Sequence, residues 1–378
     1  MNATKPETRT LPRTLRLRDL IPIVVGSVIG SGIFLVPGTV LRQAEGDAGV
    51  ALLVWLLGGV LSLMGALTYG ELGAMNPEAG GLYIYLRDAF GAFVAFVFGW
   101  SLFFVIASGA AATLAVAFSF YLQQYVELGP AAAKLASVLM IAVVAALNVR
   151  GTRQSAGVQN WSTAIKVAAL LAMSIVLLVA GAGLPATRER FFATPVSAEL
   201  VSGMGLAMIG VLWAYEGWQF VTYSAGETLD AQRTFPRGIA IGTAALIGIY
   251  LFANVGYLAA LGPAATAGSQ RVAADAMGQL LGPAAAQVVA APILVSIFSA
   301  ANGITLTAPR VYYAMARDGL FFRRLADVHP RFGTPAAAVV TSSAWAMVLA
   351  ATGTFEQLLT YVVFAGWIFY GLGAAAVF

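Results

Sequence analysis

The stretch that decides the fold is Val24-Val25-Gly26-Ser27-Val28-Ile29-Gly30-Ser31-Gly32-Ile33-Phe34-Leu35-Val36-Pro37-Gly38. It is apolar enough to lie in a bilayer. Its glycines make it a poor continuous helix, because Gly costs about 1 kcal/mol relative to Ala in a helix interior. Gly30 and Gly32 flank a serine at its centre, which predicts a membrane helix that is interrupted there. An interruption frees backbone N–H and C=O groups, and hydrocarbon tolerates these only where they line a cavity or are bound by other groups.

The whole composition supports a membrane setting. Of 378 residues, 60% are hydrophobic and 10% charged, against roughly 25% charged in soluble domains. Cysteine is absent, so there is no disulfide framework and no thiol metal site. The single histidine, His329, stands beside Pro330 in a polar connector, has no second histidine to pair with, and reads as a solvated residue. No cofactor, metal site, phosphate loop or nucleophile triad is expected. The first apolar run is longer than a signal-peptide core of roughly 7–15 residues and lacks a small-residue cleavage site, so it reads as a retained span.

Ten apolar spans follow, at about 20–42, 49–73, 89–124, 131–149, 155–182, 201–226, 237–262, 283–316, 335–353 and 357–378. The third and eighth exceed one crossing, which predicts tilt or extension beyond the bilayer. Of the 21 Lys and Arg residues, fifteen fall on one side of this arrangement, from Lys5 through Arg331. Five fall on the other, at Arg42, Lys134, Arg188, Arg190 and Arg271. The positive-inside rule then places the N-terminal segment 1–19 in the cytoplasm. The basic balance follows alternate loops, so it does not describe a nucleic-acid surface, and no nucleic-acid partner is expected.

Ten spans form two blocks of five, 20–182 and 201–378, inserted with opposite orientation because five is odd. No residue-level similarity joins the blocks; the repeat rests on pattern. Span six opens the second block and is also interrupted, at Gly210-Val211-Leu212-Trp213-Ala214-Tyr215-Glu216-Gly217-Trp218-Gln219. Breaks at corresponding positions of two halves point to a transporter binding site.

The residue types suit a zwitterion. Unwound backbone at Gly30, Ser31 and Gly32, near a half-helix N-terminus, offers N–H groups to a carboxylate. Carbonyls before the break, at Val28 and Ile29, suit an ammonium. The alternative is close helix packing through the G-x-x-x-G of Gly26 and Gly30. Glu216 lies at mid-span, where a charge costs about 2.5–3.5 kcal/mol. It reads as a contact for substrate, a proton carrier, or a buried structural carboxyl. Lys166 is eleven residues into span five, roughly 16 Å deep. It is expected to tether carbonyls of the broken first span, to take part in coupling, or both. Span eight contains Ser296, Ser299, Asn302, Thr305 and Thr307. Ser299 and Asn302 share a helix face and are expected to face Lys166 or the cavity, or to make helix-to-helix hydrogen bonds. Trp213 is too central for an interfacial anchor and reads as a lid.

Three segments together resemble the amino acid–polyamine–organocation superfamily of transporters. They are Gly26–Phe34, Gly70-Glu71-Leu72-Gly73 through Pro77-Glu78-Ala79-Gly80-Gly81-Leu82-Tyr83-Ile84-Tyr85, and Ala314-Met315-Ala316-Arg317-Asp318-Gly319-Leu320 through Pro335. Trp213-Ala214-Tyr215-Glu216-Gly217-Trp218 is similar to the L-type amino acid transporter subgroup and its bacterial relatives. The resemblance implies an all-α integral membrane protein: a LeuT-like bundle of five plus five inverted helices with broken first and sixth helices. Many members have twelve spans, so two after the tenth would be missing from this sequence.

Further expectations come from the resemblance. The substrate carboxylate is expected at N–H groups of Ser31 and Gly32, and the amine at carbonyls of Val28 and Trp213 and at Glu216. Trp213 is expected to act as a gate. Lys166 is expected to stand where sodium-driven relatives hold Na+, giving Na+-independent transport. The implied activity is exchange of neutral amino acids. The alternatives are proton-coupled symport, or antiport of cationic amino acids or polyamines. The last follows from Glu216, because acidic residues there occur in relatives that accept cationic amino acids. Lack of cysteine excludes a disulfide-linked heavy subunit and, with the compact loops, suggests a bacterial inner-membrane carrier.

Overall fold

The structure, a computed structural model, describes residues 16–76, 80–150 and 152–378; for 152–160 and 223–227 only the backbone is described. The N-terminal segment before Arg16 and part of the Asn76–Gly81 turn lie outside these residues.

The first span is broken as its glycines dictate. Helix α1 (Leu17–Val28) and helix α2 (Gly32–Gln43) meet at 53° across three residues, Ile29, Gly30 and Ser31. Helix α3 (Ala48–Met75) follows after a short turn. Asp47 caps α3 by accepting from Val50 N at 3.0 Å. Helix α4 (Leu82–Ser101), a π-helical turn at Leu102–Ile106 and helix α5 (Ala107–Leu122) make the long third span. Its excess length is not tilt alone. Gly91 adopts φ 83° and ψ 178° and bends off the segment before it. Helices α6 (Pro130–Arg150) and α7 (Thr152–Ala180) complete the first block, and a short helix α8 (Leu184–Glu189) lies in the connector.

The second block opens with α9 (Ala198–Ala214), which stops at Tyr215 and resumes as a 3-10 segment at Trp218–Glu227. Then come α10 (Ala231–Gly268), α11 (Val272–Leu281), α12 (Pro283–Arg317), α13 (Ala336–Thr352) and α14 (Phe355–Ala375). Helix α11 lies in a connector that sequence reading treated as loop. Gly282, between α11 and α12, has φ 88° and ψ 172°, close to Gly91. Each third span of a block is therefore preceded by a short helix and entered through a glycine of one conformation. The sequences around the two glycines differ, so this likeness is visible only in the backbone.

Among the described residues, eight helices are long and apolar enough to cross a membrane, or nine if the bent α1–α2 pair is one span; α13, at 17 residues, is apolar but shorter. Outward-facing apolar side chains such as Met64, Val143, Val179, Val288 and Phe364 are exposed on the single bundle, as lipid-facing positions are. Helix α10 lies along α3, α12 against α5 and α7, and α2 against α9, so both breaks sit in the middle of the bundle.

Candidate site at the two helix breaks

Glycine sets how closely the two broken spans approach. A Cβ on Gly32 would stand 2.4 Å from Ala214 Cα. A Cβ on Gly217 would stand 2.6 Å from the Ser27 carbonyl oxygen, and Gly217 also has φ +127°, a conformation side chains rarely adopt. Ser27 Oγ donates to the Gly217 carbonyl at 3.2 Å. Tyr250 OH donates to the Ala214 carbonyl at 3.0 Å and lies 3.4 Å from that of Val28. One hydroxyl from α10 thus joins the two breaks.

Between them is a small cavity. Ser27, Val28, Gly30, Ser31, Gly32, Trp213 and Glu216 line it, with Ala110 and Leu114 of α5, Phe220, and Ala300 and Ile304 of α12. Six of the seven residues expected from sequence to contact substrate therefore line one cavity. The first helical N–H groups of α2 lack intrahelical partners, and the cavity adjoins that end. Trp213 is buried and its Nε1 lies 3.4 Å from Ser31 Oγ. Along α9, Gly210 lines a wide vestibule toward Arg42. Trp213, one turn on, lines the cavity.

Ile29 is the seventh expected residue, and it is placed differently. Its carbonyl accepts from Lys166 Nζ at 2.9 Å and from Ser296 Oγ at 3.1 Å. Lys166 Nζ also donates to the Gly26 carbonyl at 2.5 Å. The lysine is buried, with 1% of its surface exposed. The carbonyls freed by the first break thus divide: that of Ile29 serves the lysine, while Val28 faces the cavity. Ser296 is the span-eight hydroxyl that shares a carbonyl with Lys166. Ser299 pairs with Ser162 at 2.6 Å, and Asn302 accepts from Asn148 at 3.0 Å. These polar groups tie α12 to α6 and α7.

Glu216 is anchored at the floor of the cavity. Its Oε1 accepts from Gln219 Nε2 at 2.5 Å and from Tyr370 OH of α14. Gln219 also donates to Tyr370 OH at 2.8 Å, and its Oε1 accepts from Gly217 N at 3.1 Å. Below this lies a buried aromatic layer: Trp218 packs on Tyr69 at 5.0 Å and on Tyr370 at 5.8 Å between ring centroids. Sequence reading gave no role to Tyr250, Gln219 or Tyr370. The available signal was a polar ring at mid-span in spans seven and ten, and an amide three residues after Glu216.

Among the described residues, no group of three or more His, Asp or Glu side chains is arranged to hold a metal ion. His329 Nδ1 accepts from Arg331 N at 3.3 Å and from Phe332 N at 3.4 Å, so it stabilises its own turn.

Residues 15–378 match the family model described as amino acid permease. The chain belongs to that family. It is 33% identical to the rat (Rattus norvegicus) b(0,+)-type amino acid transporter 1, over 98% of this chain and 77% of that one. It is 31% identical to the serine/threonine exchanger SteT of Bacillus subtilis (strain 168), over 98% and 84%. It is 32% identical to the rat large neutral amino acids transporter small subunit 2, over 97% and 69%. Among solved structures, MhsT in complex with L-phenylalanine superposes with a TM-score of 0.66, covering 98% of this chain and 89% of that one. At 16% identity that likeness shows the fold alone, and it is the LeuT-like fold of inverted repeats.

Proposed function

We propose that this permease is a secondary active, Na+-independent carrier that exchanges neutral amino acids across the membrane by alternating access. The observation that carries the proposal is the single cavity bounded by both helix breaks. It pairs the N-terminal end of α2 with the Val28 backbone and the Glu216 carboxylate. An α-amino acid carries an anion and a cation on one carbon, and these two poles suit it. In this reading Ser31 and Gly32 receive the carboxylate through backbone N–H groups. Val28, Trp213 and Glu216 receive the ammonium, and Trp213 closes over the substrate. Two relatives are named as an exchanger of serine and threonine and as a transporter of large neutral amino acids, which supports exchange of neutral substrates.

Lys166 supports Na+-independence. Its ammonium already satisfies carbonyls that the break in the first span releases. A fixed cation there leaves no place for a sodium ion on the same oxygens. The distribution of Lys and Arg supports an N-terminus in the cytoplasm, so the vestibule at Arg42 opens outward in this reading. The residue blocks 20–182 and 201–378 are the inverted repeats of the same reading.

The test is counterflow in liposomes. Purified protein is loaded with an internal amino acid, and uptake of labelled serine, alanine or leucine is followed. Exchange requires uptake to depend on internal amino acid and to be indifferent to Na+. Uptake that ignores internal substrate and follows an imposed pH gradient would instead establish proton symport.

A second reading rests on Glu216. Its carboxylate borders the cavity, and no Lys or Arg is among the residues described as lining it. Cationic amino acids are therefore a secondary substrate class. Lysine should compete for serine counterflow, and Glu216→Gln should weaken lysine at least tenfold more than serine. Equal weakening of both would assign Glu216 to the shared ammonium instead.

A further inference from the structure

The connector between α12 and α13 does not run straight out into water. Arg317 ends α12, Gly319 turns the chain with φ +77°, and Phe321-Phe322 comes back onto the third span. Phe321 packs on Trp100 at 5.7 Å and on Phe103 at 5.6 Å between ring centroids, and Phe322 lies 6.3 Å from Trp100. Arg323 and Arg324 come next. They open a short 3-10 turn, Arg323–Ala326, that the buried Leu325 pins to the bundle.

The third span meets this turn with an aromatic face. Phe93, Phe96, Trp100 and Phe104 are three and four residues apart, so they follow one face inward from the Gly91 bend. Trp100 touches Phe96 at 5.7 Å and Phe104 at 4.7 Å. Phe93, Phe322 and Trp100 are 77%, 62% and 40% exposed. Beside this apolar strip the positive charge is unpaired. Among the described residues, the ion pairs are those of Arg87 with Asp88 and Asp318. From Arg317 to Arg331 the connector carries four arginines against Asp318 and Asp327, and Asp318 is taken by Tyr83 and Arg87. Arg323 and Arg324 are both exposed.

Two adjacent guanidiniums thus stand next to exposed aromatic rings on the side of a membrane bundle. A phospholipid has the matching polarity, a phosphate at one end and acyl chains at the other. Tryptophan favours that level of a bilayer, the planar guanidinium fork matches phosphate, and each basic side chain near the surface adds attraction for anionic lipid. We propose that this face docks an anionic phospholipid, its phosphate at Arg323 and Arg324 and an acyl chain along Phe322 and Trp100. Selection by headgroup is the mark of the site, because a zwitterionic lipid brings the same chains without the net charge. The bound lipid braces the connector that follows Asp318. The proposal goes beyond the transport reading and does not depend on what the protein carries.

The test is native mass spectrometry of the purified full chain in detergent, titrated in turn with phosphatidylglycerol and phosphatidylcholine of the same acyl chains. Wild type should retain phosphatidylglycerol about tenfold more tightly. Arg323→Gln combined with Arg324→Gln should remove most of that preference and leave retention of phosphatidylcholine unchanged. Arg233→Gln combined with Arg237→Gln makes the same change of charge in the first turns of α10 and should leave the preference intact. Phe322→Ser should weaken both lipids. Monodisperse elution in size-exclusion chromatography shows which variants fold; if the first glutamine pair does not, each single glutamine variant should show part of the loss. Equal retention of the two lipids by wild type would overturn the proposal, as would a preference that survives the Arg323 and Arg324 changes. Equal loss in both double variants would overturn it too, by showing that overall positive charge is enough.

Discussion

Lys166 shows how much a single residue holds here. Its ammonium bridges the Gly26 and Ile29 carbonyls on the last turn of α1 and at the break. Lys166→Ala removes that charged donor; the Ile29 carbonyl keeps Ser296 Oγ at 3.1 Å, so the cost is that of a lost charge-assisted hydrogen bond, about 1.5–3 kcal/mol. The variant is expected to lose several degrees of thermal stability in detergent and most of its counterflow. Full activity with unchanged stability would remove Lys166 from both roles. The lysine was legible in the sequence because a cation eleven residues into an apolar span has so few explanations. Its partners were not, because carbonyl direction depends on the geometry of the break. Tyr370 and Gln219 were hidden for a related reason. A tyrosine in a membrane helix is ordinary until another element brings a carboxylate to its hydroxyl.

At the scale of elements, the glycines determine what can meet. Gly32→Val would push α2 away from α9, because even a Cβ there falls 2.4 Å from Ala214 Cα. Loss of exchange is expected, with assembly of the outer helices retained; wild-type exchange by this variant would contradict the close contact. The turn after α2 depends on Asp47. Its carboxylate accepts from Val50 N, and from Phe192 N and Thr194 N of the α8–α9 connector at 2.9 Å each. Burial alone would raise its pKa, but these backbone donors outweigh burial and hold it below the ordinary carboxylate value. A depressed pKa contributes stability that is complete above the unfolded value of about 3.9 and is lost as pH falls through the folded one. Asp47→Asn should therefore lower the melting temperature near pH 7, and the difference from wild type should shrink below about pH 4. A difference that persists unchanged at acid pH would contradict a charge-dependent staple. The broken spans were legible because glycine placement and mid-span polarity both mark them. Helix α11 was not, because its ten residues are too few to carry a length signal for a span.

The two ends of the described bundle differ. The vestibule is lined by Arg42, Thr39 and Glu356 and reaches Gly210, one turn before Trp213. Below Glu216, Trp218 packs on Tyr69 and Tyr370. There Asp318, after α12, accepts from Tyr83 OH at 2.7 Å and Arg87 Nη1 at 2.8 Å, pinning the segment before Gly91. Asp318→Ala loosens that end and should favour the opposite-facing state. The rate at which a maleimide labels Thr39→Cys in the vestibule should then fall several-fold. An unchanged or faster rate would separate the Asp318 contacts from the conformational equilibrium. These 378 residues contain no cysteine, so one thiol introduced into them reports without background.

The same property allows the most direct test of the central claim, that both breaks form one amino acid site. Ala110→Cys places a thiol on the wall of the cavity that Ser31 and Glu216 also line. Its maleimide labelling is measured with and without an amino acid that the protein exchanges, and with the matching amide and the matching deaminated acid. The expected result is several-fold protection by the amino acid, at the concentration that half-saturates counterflow, and none by the two analogues. Labelling that no amino acid slows, in protein that still catalyses counterflow, would place the substrate elsewhere and contradict the account.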